Sequence, residues 1–386
     1  MTTSAASVLG ERSLSPSTEI IAGLAAEVAR TPDEPAWRAA YRRGFARLRT
    51  VVDLHPAQST ASATFEIAAR TARAVAAQCL PLGIAVVMHL YPLCALRCVA
   101  LPWWSAANYR RFKLLRAIEG SSLILANAGS ERTAGAHPPV TLSRTRDGFR
   151  VDGTYDYVSL ANVADVVLFH APLAQSTCTI FCAADLRSNS VRIGGSRFDG
   201  GMRLSDTCSV TFDNHLVPTN RHIVVPSEPA LNCVAQYQRS WFHLLLGESY
   251  LARIDCLRRT WDMPHTTAEI ASLNELAWLR EYALRLLDDP DAARGAESLS
   301  RITAAMKLRI SWLAQSTADA LHDRDAAAVS ELRYFRRQPT SDDRILRSIC
   351  ADTRLSATNY IAVEPHPCSS FNNSASRSGV SPAFSV

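Results

Sequence analysis

One stretch, from about Asp147 to His222, limits what this chain can fold into, because it is written for short strands while the flanks are written for helices. Asp147-Gly148 stands between Val140/Leu142 and Phe149/Val151, apolar pairs that alternate with period two. Alternation on both sides of Asp-Gly predicts a hairpin, since its turn demands a positive φ that glycine adopts at little cost. Two phrases bound the island. The first is Gly148-Phe-Arg-Val-Asp-Gly-Thr-Tyr-Asp-Tyr-Val-Ser159; the second is Gly200-Gly-Met-Arg-Leu-Ser-Asp-Thr207, running on to Leu216-Val217-Pro218. The pattern therefore predicts a β module framed by two helical blocks.

Before the module, Ala, Leu and aromatic residues recur at helical spacing over Thr18 to about Arg30, Glu34 to Val52, Ser59 to Ala77 (opening on a Ser/Thr cap) and Ala106 to Leu125. Leu80 to Trp104 is the most apolar run. It contains Pro81, Pro92, Pro102, His89 and Arg97, which suit a buried helix broken by a turn better than a membrane span. After the module, helices are expected over Val234 to Trp261, Thr267 to Leu287, Ala296 to His322 and Asp325 to about Thr358, with Pro264 and Asp288-Asp-Pro-Asp291 as breaks. Pro367 to Val386 is rich in Ser and Asn and reads as a flexible tail. The expected division is 1–125 helical, 126–230 β, 231–366 a four-helix-bundle-like domain, and 367–386 tail.

With 386 residues, 47% of them hydrophobic and 20% charged, the chain can build substantial cores. The net charge of +5 comes from arginines scattered among acids, the pattern of solvated helix faces, so neither a nucleic-acid nor a membrane partner is expected. Ten cysteines include Cys94-x3-Cys98 and Cys178-x3-Cys182, but no further ligands complete a zinc site. Buried thiols in a reducing, cytoplasmic compartment, with no metal, are the expectation. Met1 to Ser17 lacks a basic region followed by an apolar core, so no secretory signal is expected.

The order helical block, β module, helical bundle resembles the acyl-CoA dehydrogenase superfamily, and local phrases agree. Ser130-Glu-Arg-Thr-Ala-Gly-Ala-His137 occupies the place of the family's Thr-Glu-Pro-x-x-Gly-Ser-Asp loop. Gly153-Thr-Tyr-Asp-Tyr-Val-Ser159 looks like its Gly-Thr-Lys-x-Trp/Phe-Ile-Thr/Ser strand. Gly201-Met-Arg-Leu-Ser-Asp-Thr207 through Val217-Pro218 is similar to its Gly-x-Arg-x-Ser-x-Thr stretch and Val-Pro turn. The resemblance spans roughly residues 20 to 350 and implies an α+β multidomain fold: an N-terminal helical domain, a central β-barrel-like domain and a C-terminal helical bundle.

It also implies a flavoprotein oxidoreductase with FAD, or else FMN or no flavin, between the β domain and the C-terminal helices. Ser159 would then lie near N5 and O4 of the ring, Tyr157 would pack on the ring, and Val158 would share the turn. Groups around Ala128 to Ser130 would line the pyrimidine edge. Arg203 and Arg239 would contact substrate. A homodimer or homotetramer would follow, because in the family the bundles complete each other's dinucleotide sites.

Departures from the family pattern concern the base. Removing an α-proton from a thioester needs a carboxylate within hydrogen-bond reach. The usual Tyr-Glu-Gly phrase is absent, and Glu364 is the nearest carboxylate; the alternative Leu-x-x-Glu-Arg phrase reads Tyr237-Gln238-Arg239 here. Glycine pairs for the dinucleotide phosphates are missing too, leaving Arg258, Arg259 or Arg324 as charges. Three functions compete. The first is oxidation of an acyl thioester on CoA or a carrier protein, in specialised biosynthesis, with Glu364 or an unrecognised carboxylate as base. The second is a two-component flavin monooxygenase fed by a flavin reductase, in which His243 and Ser159 support a dry cavity. The third is a non-redox or flavin-free relative, either a diverged scaffold or an enzyme using the cleft for other chemistry such as elimination.

Overall fold

The first helical block is built on aromatic residues that recur every four positions. In α2 (Glu34–Leu48), Trp37, Tyr41 and Phe45 fall on one face, stack with centroids 5.1 and 6.1 Å apart, and are fully buried. The computed structural model describes residues 17–29, 34–101, 105–128, 140–176, 179–198, 200–224, 228–289 and 292–337. α1 (Ser17–Ala29) pairs with α2, and α3 (Ala61–Gln78) opens on Thr60, whose hydroxyl accepts the Ala63 N–H.

α4 (Leu80–Cys98) runs unbroken through Pro92, while Pro81 sits in its first turn, where the missing N–H costs nothing. It is apolar and long enough to cross a membrane, yet 89% of that window is buried inside the protein. α5 (Ala106–Gly120) ends earlier than its apolar pattern suggested. Ser121 and Ser122 form a turn, with Ser122 at φ 47°, and the chain then extends: Leu125 begins a strand, not a last helical turn.

That strand, β1 (Leu125–Asn127), pairs in parallel with β4 (Val166–Pro172), placing Leu125 beside Val166. β2 (Thr141–Arg144) and β3 (Gly148–Val158) form the expected hairpin, Leu142 opposite Val151. Gly148 lies at φ 153°, and a Cβ there would meet the Val217 carbonyl at 2.1 Å. β5 (Thr179–Asp185), β6 (Val191–Ser196), β7 (Cys208–Pro218) and β8 (His222–Val224) complete the region. Where a barrel-like module was expected, the described strands form two four-stranded sheets, ordered β1-β4-β5-β8 and β2-β3-β7-β6. Isolated bridges from Ala128 to Val158 and from Leu142 to Leu173 join them.

α6 (Glu228–Thr260) starts ahead of its apolar periodicity and packs on α3, α4 and α8 (Ala292–Ala320). α7 (Thr267–Leu287) follows the Pro264 break and opens with a full capping box between Thr266 and Glu269. α9 (Ala326–Arg337) was expected to reach about Thr358; residues past 337 lie outside the described part. Glu248 of α6 is buried between Arg73 of α3, at 2.8 Å, and Arg280 of α7, which also holds both oxygens of Glu66 at 2.8 Å. These ion pairs fasten three helices together.

Candidate functional site

Two turns face each other where the β sheets meet the first helical block. One follows β3 and contains Ser159, Leu160, Ala161 and Asn162; the other joins a 3₁₀ turn (Gly200–Ser205) to β7 and contains Ser205, Asp206 and Thr207. Each holds a non-glycine residue at positive φ, Leu160 at 61° and Asp206 at 50°, a conformation that persists only where surroundings enforce it. The enforcement is a lacing of hydrogen bonds. Leu160 N–H donates to Ser205 O at 3.3 Å and Ala161 N–H to Asp206 O at 3.2 Å. Both Asn162 N–H and Asn162 Nδ2 donate to the Asp206 carboxylate, at 2.9 and 2.6 Å.

Ser159 Oγ lies 2.8 Å from Thr207 Oγ1, which lies 2.8 Å from Ser205 Oγ. Three hydroxyls in series carry three protons, so their order matters. When Ser205 donates to Thr207 and Thr207 to Ser159, the Ser159 proton is left for a ligand; in the reverse order it is consumed inside the chain. α2 holds both turns from outside: Arg42 Nε donates to Asn162 O at 2.7 Å and Tyr41 Oη to Leu204 O at 2.8 Å. The Arg203 guanidinium stacks over Trp37 at 4.8 Å. Beside this cluster Tyr157 is 51% exposed, and its ring packs on Phe198 with centroids 6.1 Å apart.

A second cluster gathers where α4, β1 and α6 meet. Gln238 Nε2 of α6 donates to Asn127 Oδ1 of β1 at 3.2 Å, and Tyr91 of α4 shares a hydrogen bond with the same Asn127 side chain. Phe242 packs its ring on Tyr91, at 5.2 Å, and on His243, at 5.5 Å. The result is a largely buried, mostly aromatic wall whose polar groups are two amides, a phenol and the His243 imidazole.

No family model matches the sequence, and no curated protein matches it significantly. Solved structures do match along most of both chains. FMN-bound TdsC from Paenibacillus sp. A11-2 is 18% identical with a TM-score of 0.58, covering 90% of this chain and 96% of that one. KijD3 in complex with dTDP is 17% identical with a TM-score of 0.65, covering 89% and 98%. The methanesulfinate monooxygenase MsuC from Pseudomonas fluorescens is 16% identical with a TM-score of 0.61, covering 92% and 99%. The chain has the acyl-CoA dehydrogenase fold.

Within that fold the residues singled out from sequence fall into separate groups. Ser159 and the buried Val158 lie on the laced turn, and Ala128 is bridged to Val158 with its N–H bonded to Leu168 O at 2.8 Å. Gln238, Arg239 and His243 lie together on α6, Gln238 and His243 buried and Arg239 partly so. Tyr157, expected to pack on a ligand ring, has Phe198 as its ring partner. Arg259 is exposed and paired with Asp255 one turn back on α6. Arg258, also weighed as a phosphate ligand, is buried against Glu269 and donates to Thr317 at 3.1 Å, so that role is withdrawn. Ser130 and Glu364 lie outside the described residues.

Asn127, Tyr91, Asp206 and the Ser205–Thr207 hydroxyls were not recognised from the sequence. Asp206 and Thr207 stood inside a quoted phrase, but only the folded turns place them against Ser159. Among the described residues no cluster of three or more His, Cys, Asp or Glu could hold a metal ion.

Proposed function

We propose that this chain is a flavin-dependent oxidoreductase that takes FMN and inserts oxygen into a small molecule, working with a separate flavin reductase. The donor set fits the group. A flavin's carbonyl edge takes hydroxyl and N–H donors and its ring takes an aromatic wall; the hydroxyl chain ending at Ser159 and the exposed Tyr157 beside Phe198 are such groups. When bound, reduced FMN supplies the electrons for activating O2. Ser159 would donate to the carbonyl edge, and His243 would hold or release a proton beside the packed rings of Phe242 and Tyr91.

The single observation that carries oxygenation over thioester dehydrogenation is the Gln238–Asn127 pair. At the α6 position where some relatives place a catalytic Glu, this chain has an amide tied to another amide at 3.2 Å, and neither can take an α-proton. Dehydrogenation would then need Glu364 or another carboxylate that the sequence does not single out. The named neighbours support the same reading: TdsC is a dibenzothiophene monooxygenase and MsuC a methanesulfinate monooxygenase. FMN is favoured over FAD because the glycine pairs that would cradle the dinucleotide phosphates are missing and Arg258, one of the charges that could replace them, is held by Glu269.

We further propose a homo-oligomer in the cytoplasm, buried at least in part through the exposed Trp278, Tyr282 and Trp312 of α7 and α8. The deciding experiment supplies purified protein with FMN, an NADH-driven reductase and 18O2, against a panel of sulfur and nitrogen heterocycles. Label in a product supports the proposal. Anaerobic bleaching of bound FMN by an acyl thioester, with no oxygenation across the panel, would replace it by dehydrogenation.

A further inference from the structure

We infer that Asp206 is a positioning residue for Ser159, holding the turn after β3 against the Ser205–Thr207 turn so that the Ser159 hydroxyl is presented to the bound flavin. This rests on the flavin reading of Ser159 above.

Asp206 is fully buried, so its carboxylate meets no water and must be satisfied by protein. Its two oxygens take the backbone and side-chain N–H groups of Asn162, and its carbonyl takes the Ala161 N–H. Asn162 and Ala161 are the third and second residues after Ser159, so this one residue fixes the direction in which the chain leaves Ser159. Its sequence neighbours Ser205 and Thr207 supply the other two hydroxyls. The strained φ at Asp206 makes this possible: an extended residue there would separate the flanking side chains.

From α2, Arg38 and Arg42 lower the Asp206 pKa and the Tyr41 phenol lies within its field; from β7, the Cys208 thiol approaches to 3.9 Å. Burial outweighs the donors and arginines and pushes Asp206 up to about 7. Arg42 grips Asn162 O, so the N-terminal block sets this geometry as well.

The test is a double-substitution cycle read on flavin potential with FMN as probe. Asp206→Asn keeps the shape but replaces an acceptor oxygen by a donor facing Asn162. It is expected to change the ratio of affinities for reduced and oxidised FMN about tenfold, about 30 mV for the two-electron couple, and to have no such effect in a Ser159→Ala background. Asn162→Ala, which removes one of the two bonds to the carboxylate, gives the same pattern and serves if Asp206→Asn does not fold. Equal shifts in both backgrounds, or no shift from Asp206→Asn or Asn162→Ala while Ser159→Ala moves the potential, would overturn the inference. If Ser159→Ala alone changes neither FMN affinity nor potential, the flavin reading of Ser159 fails first and the inference with it.

Discussion

His89 and Leu125 lock helix α4 to the first strand: the Leu125 N–H donates to His89 Nδ1 at 2.9 Å. Nδ1 is therefore the bare nitrogen, and Nε2 must carry the proton it gives to Leu54 O at 2.7 Å. A second proton would break the bond to Leu125 in a fully buried place. Burial, the neighbouring His55 and nearby arginines push His89 down to about 3.

The pH dependence follows with a definite sign. Between about pH 6.5 and 3 the unfolded chain binds a proton at residue 89 and the folded chain does not, so stability falls as pH falls, by up to about 1.4 kcal/mol per pH unit. His170, pushed down to about 4 by burial, acts in the same direction. Urea unfolding at pH 6.5, 5.5 and 4.5 is expected to show this slope, and His89→Phe is expected to lower stability at pH 6.5 but flatten it.

Gly148→Ala places a methyl group against the Val217 carbonyl at a backbone angle that L-residues avoid. A loss of about 2–3 kcal/mol is expected, seen as a lower urea midpoint with an unchanged slope. A loss below about 0.5 kcal/mol would mean that the hairpin opens freely at this point.

Ion pairs in this protein differ sharply in worth. Arg280→Met leaves Glu248 buried with Arg73 alone and is expected to cost about 3 kcal/mol. Arg285→Met removes a pair with Glu281 whose side chains are 73% and 65% exposed, and it is expected to change stability by less than about 0.5 kcal/mol. Parallel thermal melts separate the two.

His243→Phe keeps the aromatic wall and removes the only imidazole on α6. Under the oxygenase proposal, product formed per NADH consumed is expected to fall about 100-fold, with the electrons recovered as hydrogen peroxide. Unchanged coupling would remove His243 from the chemistry.

The hairpin at Asp147-Gly148, the capped start of α3 and the run of α7 were legible because their signals are local: a turn residue, a cap and a period. β1 was not. Leu125 reads as the last residue of an apolar helix, and only pairing of Leu125-Ala-Asn127 with Val166-Val-Leu168, some forty residues on, makes a strand. The same limit applies to the site. Ser159 and Gln238 were found by resemblance to short phrases, while Asn127 and Asp206 became visible only when separate stretches met. Arg258 looked like an anion ligand because nothing in sequence reveals Glu269 closing on it.

Helix α4 has a last consequence, for the chain as it is made. Its sides are covered largely by α3 and α6, and α6 begins only at Glu228. During synthesis a stretch as oily as a membrane span must wait in water while the β region is still being produced. Holding factors that shield such stretches on the ribosome would find their target in this chain at Leu80–Cys98.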